Sequence, residues 1–286
     1  MLNRDVILES IKQPMEQYYQ TMKDMIGNWQ PLVEVSEKIL AGEDVSNNTV
    51  PPQLHFLVDW MKLIMQVTRD SEWDWTKPEI QAVYKRIADS QIYKIFAEAT
   101  VGIVTAILKT GQIGTLVEIG TGPGQVTDKL CAEMTHYNIN VPIIISDRSP
   151  SIAETGERLR KSYPHLMITD FIWDIRKEPP RKLLSKITKP VLPYERFCIP
   201  YGGYDAINNI APVADILVMV EDLSLSGKKE AYDVIYEKIG LQFFTYAEAK
   251  KYLDKHFSFI HTCDIKTIKA LSLPVTDFTL AIKCNN

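Results

Sequence analysis

The four cysteines of this 286-residue chain, Cys131, Cys198, Cys263 and Cys284, stand far apart with no paired spacing. That excludes a zinc ribbon and a disulfide framework, and predicts reduced thiols with structural roles and no metal site. Basic charge is also scarce. Lys and Arg number 32 against 36 Asp and Glu, for a net charge of −4 with the signs interspersed. A chain without a basic stripe has little with which to neutralise phosphates, so nucleic acid is not an expected partner. Long apolar runs are missing too. The first residues, "MLNRDVILESIKQPMEQYY", mix charge and apolar residues at helical spacing, without the unbroken apolar segment of a signal peptide. No later stretch reads as a bilayer span, so a cytoplasmic location without a membrane partner is expected. Repeats and low-complexity tracts are absent.

What is present is a globular composition, 45% apolar and 24% charged, enough for one large core or two modest ones. The texture changes near residue 112. Before it, apolar residues recur every three or four positions, as in Val6, Ile7, Ile11, Met15, Tyr18 and Tyr19, and again through "PPQLHFLVDWMKLIMQV" and "PEIQAVYKRIADSQIYKIFAEATVGIVTAILKT". Breaks at "GNWQP", "AGEDVSNNTVPP" and "DSEWDWTKP" divide this region into about five helices. After residue 112, short β-rich runs alternate with helical segments. Strands are expected at 115–119, 141–146, 166–173, 194–199, 213–221, 257–265 and 277–284. Strands separated by helix-length gaps predict an α/β fold, a Rossmann-like, seven-stranded, mostly parallel sheet with helices on both faces, preceded by an all-α N-terminal domain. Residues 92–111 run almost unbroken into the first strand. The expected division is therefore a helical lid or dimerisation domain over 1–91 and a ligand-binding domain over 92–286.

The most informative stretch is "TLVEIGTGPGQVTDKL", residues 115–130. An apolar strand ends in three glycines, Gly120, Gly122 and Gly124, and a helix follows. Ligands of open parallel sheets bind beyond the carboxyl ends of the strands, where a loop with few side chains lets a ligand approach backbone amides and a helix N-terminus. The dinucleotide fingerprint wants its third glycine where this chain has Gln125, which disfavours nicotinamide nucleotides. "VEIGTGPGQVT" instead resembles the first motif of class I S-adenosylmethionine-dependent methyltransferases, with an acid two residues before the first glycine. The resemblance implies that Glu118 serves the methionine part of the cofactor and that Gly120, Thr121, Gly122 and Gly124 pass beneath it.

Two acids farther on extend the pattern. Asp147, followed by Arg148, closes the second predicted strand, "VPIIISD", where a carboxylate can accept both ribose hydroxyls; a cap on the next helix is the other reading of Asp147. Asp174 closes the third, and "WDIRKEPP" resembles the family's adenine segment, which implies that Asp174 accepts from the exocyclic amine while Ile175 packs on the ring. Asp170, inside the strand pattern, is the rival. The resemblance covers residues 94–284, and the earlier helices match no named family.

Methyl transfer is an in-line displacement at a sulfonium carbon, so the protein mainly aligns a nucleophile and excludes water. The histidine base that follows the fifth strand in helical-domain O-methyltransferases has no counterpart here: Glu221, Asp222, Leu223 and Ser224 occupy that place. Nor does "NN" at 208 and 209 reproduce the Asp-Asn pair of the metal-dependent catechol type. His256 and His261 read as structural. Near the expected site remain Tyr201 and Tyr204 in "PYGGYD", the candidate catalytic residues, with Glu221 and Asp222 beyond the fifth strand, while Trp60 and "DSEWDW" are candidates for pocket lining or helical core. The reading is a methyltransferase using S-adenosylmethionine on a small-molecule acceptor, with a homodimer through the N-terminal helices as an expected assembly. A non-catalytic cofactor-binding subunit and a nicotinamide-dependent oxidoreductase are the alternatives.

Overall fold

The computed structural model describes residues 2–27, 29–74, 77–225, 229–262 and 275–283; Cys263, Cys284 and Trp75 lie outside them. The helical region forms α1 (Arg4–Ile26), α2 (Gln30–Leu40), α3 (His55–Asp70), α4 (Pro78–Ala88) and α5 (Gln91–Lys109). Local chemistry starts four of the five. Asn3 caps α1 by accepting from the amides of Asp5 and Val6, Ser90 caps α5 by accepting from Tyr93, and proline stands in the first turn of α2 and α4, where its missing N–H goes unneeded. By length and composition α5 would also pass as a bilayer span, which the sequence reading did not foresee. Most of its length is buried inside the fold, as in a core helix.

The rest alternates strand and helix: β1 (Thr115–Ile119), α6 (Gln125–His136), β2 (Ile143–Asp147), α7 (Ile152–Ser162), β3 (Ile168–Ile172), α8 (Arg181–Leu184), β4 (Val191–Arg196), α9 (Ile199–Ile210), β5 (Ile216–Ser224), α10 (Ala231–Glu237), α11 (Tyr246–Leu253), β6 (Phe259–Thr262) and β7 (Val275–Ile282). They make one seven-stranded sheet in the order β3-β2-β1-β4-β5-β7-β6, parallel except for β7, which runs antiparallel between β5 and β6. This is the expected α/β architecture. Strand order reverses between β1 and β4, so the loops that follow these two neighbours diverge and leave a crevice at their carboxyl ends.

Three local expectations are corrected. The fourth strand is 191–196, not 194–199, because Pro193 lies in its interior, a residue that ordinarily argues against a strand. The fifth is 216–224, not 213–221, and runs on to Ser224 through a register shift between Val220 and Leu223, so Glu221 and Asp222 lie within the strand and not beyond it. "PYGGYD" is not a loop: it belongs to α9, which bends at Gly203, whose φ of 60° suits glycine.

The helical region shares its core with the sheet. Buried residues of α1 and α3, among them Ile7, Ile11, Met22, Met61 and Ile64, form one cluster with α5 and with Leu116, Ile145, Tyr194, Val218, Phe278 and Leu280 of the strands. The boundary expected near residue 91 thus runs through continuous packing. At Gly102 of α5 an added Cβ would stand 3.7 Å from the Pro14 side chain, so the two helices approach closely there. α1 also reaches the sheet itself. The Tyr18 ring meets Phe278 edge-on with 4.8 Å between centroids, and its hydroxyl donates to the buried Asp277 carboxylate at 2.7 Å. The other face of the sheet is covered by α9 and α11 around Ile207, Ile210, Leu217, Met219 and Leu253.

Tyr18→Phe keeps the ring and removes only the donor to a buried carboxylate. A loss of about 2 kcal/mol in unfolding free energy is expected, read by urea denaturation. An unchanged midpoint would mean that the hydrogen bond contributes nothing to joining α1 to β7.

Candidate active site

A cavity of about 590 Å³ opens at the divergence of β1 and β4. Its floor is made by Ile119 to Pro123 after β1, Asp147 to Ser149 after β2, Trp173 to Arg176 after β3 and Arg196 to Cys198 after β4. The opposite wall comes from the helical region and the segment after β5, with Trp29, Phe56, Trp60, Tyr93, Tyr232 and Tyr236 among its residues. α10 packs against α2 and α3, which brings these two sources together.

The glycine loop is bare for two different reasons. Gly120, Gly122 and Gly124 all have positive φ, between 55° and 76°, which side-chain-bearing residues rarely adopt. Around Gly122 a Cβ would meet nothing within 4 Å, so the backbone there faces open space. At Gly120 a Cβ would stand 2.1 Å from the Cys198 sulfur, and at Gly124 it would stand 2.7 Å from the Thr155 methyl. Those two glycines make room for the protein itself. Loop amides are also engaged internally: Thr121 donates to the Ser146 carbonyl at 3.0 Å and Gly124 to that of Thr121 at 3.0 Å.

Asp147 fixes the loop. One carboxylate oxygen accepts from the Gly122 amide at 2.9 Å and the other from Ser149 at 2.8 Å. The carboxylate thus ties the glycine loop to the turn before α7 while lining the cavity; it caps no amide of α7, whose N-cap is Ser151. Arg148, exposed at the rim, lies over the Tyr201 ring at 5.8 Å. Asp174 also lines the cavity, paired to Arg176 through both of its oxygens at 2.6 to 3.1 Å. That pairing holds its carboxyl near 2. Ile175 is buried beside it, its carbonyl accepting from Asn209 at 2.9 Å. The rival, Asp170, points away to Arg160 and packs beside Gly156.

Glu118 lies beneath the loop, not on the cavity wall. It is buried beside its cross-strand neighbour Tyr194 and accepts a short hydrogen bond from the Thr127 hydroxyl. Burial raises its carboxyl to about 7, although Thr127, Tyr194 and the Arg196 charge favour ionisation. Tyr201 faces the cavity. Tyr204 does not: it stacks on Tyr252 with 3.7 Å between centroids and touches Phe244, on the far side of α9. Glu221 is not free to act on a ligand, because it accepts from the Ile199 amide at 3.1 Å. Its neighbour Glu195 accepts from Cys198 at 3.0 Å and Val220 at 3.1 Å. The two buried carboxyls hydrogen-bond each other, and burial raises that of Glu195. Together they hold the start of α9 against β5. His256 contacts Asn208 at 2.9 Å and His261 is half-buried in β6, both away from the cavity. Among the described residues no three His, Cys, Asp or Glu side chains converge to hold a metal ion.

Sequence reasoning missed most of the aromatic wall and the whole segment Arg196–Phe197–Cys198. Phe197 has a φ of 54°, a strained value for an aromatic residue, and its ring meets Phe96 edge-on at 5.2 Å. Trp60 is both pocket and core: it lines the cavity and packs edge-on against Trp73 at 5.3 Å.

No protein-family model and no curated protein sequence matches the chain. Solved structures do. The citrinin polyketide synthase CMeT domain is similar over 88% of this chain and 69% of its own, with a TM-score of 0.63 and 15% identity. The DszA carbon methyltransferase is similar over 94% and 69%, with a TM-score of 0.55 and 13% identity. The CurJ carbon methyltransferase is similar over 94% and 71%, with a TM-score of 0.52 and 14% identity. The chain has the fold of class I S-adenosylmethionine-dependent methyltransferases, and the likeness extends into the N-terminal helices.

The raised Glu118 carboxyl predicts a pH signature. A proton held to about 7 in the folded state but released near 4.5 in the unfolded chain favours folding most at low pH. That contribution fades as pH rises from 4.5 to 7, by ~3 kcal/mol. Glu118→Gln cannot titrate and can still accept from Thr127. Its stability relative to the parent should therefore rise by about that amount across the interval, read by denaturation at several pH values. A difference independent of pH would show an unshifted carboxyl.

Proposed function

We propose that the chain is a methyltransferase that uses S-adenosylmethionine to alkylate an apolar small molecule. The observation that carries this reading is that one cavity joins the glycine loop, Asp147 and Asp174 to an aromatic chamber under the N-terminal helices. A cofactor half and an acceptor half thus share a space with no wall between them. Open space above Gly122, the Asp147 side chain at the end of β2 and the acid-plus-isoleucine pair after β3 fit the glycine, ribose and adenine elements of the cofactor. When bound, S-adenosylmethionine supplies an electrophilic methyl group.

The protein's own residues would then orient and shield. Asp147 holds the loop while keeping acceptor capacity toward the cavity, because each carboxylate oxygen has a second lone pair. Trp29, Phe56 and Trp60 exclude bulk water from the acceptor side, which favours displacement by a weakly solvated nucleophile. Tyr201 lines the cavity and can orient an acceptor, whereas Tyr204 is turned away from it. The similar folds of two carbon methyltransferases support the class of reaction.

S-adenosylhomocysteine at a hundredfold excess over its dissociation constant should stabilise the fold by about 2.7 kcal/mol, seen as a raised melting temperature. No shift at millimolar ligand would reject the cofactor. Asp147→Ala should weaken that binding by roughly 1.5 to 3 kcal/mol in a calorimetric titration and also lower the melting temperature, since two amides lose their acceptor. Unchanged affinity would reduce Asp147 to a tie between the glycine loop and the turn before α7. Transfer of labelled methyl to a metabolite extract tests the reaction against the non-catalytic alternative.

A further inference from the structure

The acceptor half of the cavity is largely aromatic and aliphatic, with hydroxyls from Ser90 and several tyrosines and few charged groups. Among the described lining residues, the cations are Arg148, Arg176 and Arg196. Arg148 is exposed at the rim and Arg176 is spent on Asp174. Arg196 differs from both. It is the last residue of β4, its guanidinium lies 4.2 Å from the centre of the Tyr93 ring, and its Nη1 is buried with no hydrogen-bond partner among the described residues. Glu118, the carboxyl on which its charge acts, is already held by Thr127. A guanidinium presents five donors in a planar fork, more than its hydrogen bond with the Tyr93 side chain uses. The flanking Phe197 is held at positive φ by a backbone whose amide donates to Val220 at 3.0 Å, so the turn that presents Arg196 to the cavity is fixed from behind.

We infer that Arg196 and Tyr93 form an oxyanion-binding subsite, and that the acceptor is an apolar, aromatic-sized molecule carrying a carboxylate or a phenolate. Resting on the methyltransferase reading, this names the acceptor's chemical class. A charge-assisted bond from the Arg196 guanidinium fixes one end of the acceptor, and the ring wall of Tyr93, Phe96 and Phe197 takes its apolar body. Such a contact is stronger in a cavity of low dielectric than in water.

The test uses the full chain with matched probes, each differing in charge at one group: 2-naphthoate against 2-naphthamide, and 4-nitrophenolate against nitrobenzene. Binding is read by calorimetry with S-adenosylhomocysteine present. At least one anion should bind tenfold or more tighter than its neutral partner. Arg196→Gln should abolish that preference and Arg196→Lys should keep part of it, while melting curves of both variants report folding. Equal binding of both members in each pair, no anion binding at millimolar concentration, or a preference that survives in Arg196→Gln overturns the subsite. A carboxylate preference without phenolate preference identifies a carboxylic acid, and the reverse a phenol. The melting shift with S-adenosylhomocysteine, measured on the same preparations, separates the two readings. A shift without anion preference rejects the subsite alone, and anion preference without a shift rejects the cofactor alone.

Discussion

Strands β1 and β4 lie side by side and in register, from Thr115 opposite Val191 to Ile119 opposite Glu195, yet the chain leaves them toward opposite sides of the sheet. Two loops that part in this way meet only at their base, where Cys198 lies against Gly120, and the gap beyond is where a ligand can touch backbone from both. The remaining features serve that gap. Asp147 pulls the first loop toward the next strand, the Glu195–Glu221 pair anchors the start of α9 on the other side, and the Cys198 sulfur under Gly120 holds the two lips at a fixed separation.

A crevice at the edge of a sheet is open to water unless something covers it. Here the cover comes from both ends of the sequence logic, the N-terminal helices and the α10 segment, and it is not an appended cap. α1 through α5 bury their apolar stripes in the core that also buries one face of the sheet. Movement of the cover relative to the floor therefore has to break continuous apolar packing, which favours small local openings around the cavity over hinge-like separation of two bodies.

Much of this was legible because the informative residues carried their own punctuation. "TLVEI" followed by glycines announces a buried strand, a sharp turn and a helix start, and β1 falls where that pattern puts it. Asp147 and Asp174 were readable because each ends an apolar run, and both line the cavity. Arg196 was not, because Pro193 suppresses the strand signal ahead of it. With β4 read three residues late, Arg196 to Cys198 fall in the strand's middle and not at its mouth. Tyr204 failed for a related reason: two adjacent glycines read as a loop turned toward ligand, whereas α9 bends at Gly203 and continues, directing Tyr204 onto Tyr252. The aromatic wall was beyond reach of periodicity, since a tryptophan facing a cavity and one facing the core occupy the same helical positions.

The contact between Tyr18 and Asp277 spans 259 residues, nearly the whole chain. At a synthesis rate of about 5–20 residues per second, roughly 13 to 50 s separate the appearance of its two halves. β6 waits as well, since it joins the sheet only through β7, which is made after it. On the ribosome, then, α1 exists long before the strand that completes its binding face, and its buried stripe of Ile7, Ile11, Met15 and Tyr18 has to be sheltered in the interval by α5 or by a chaperone.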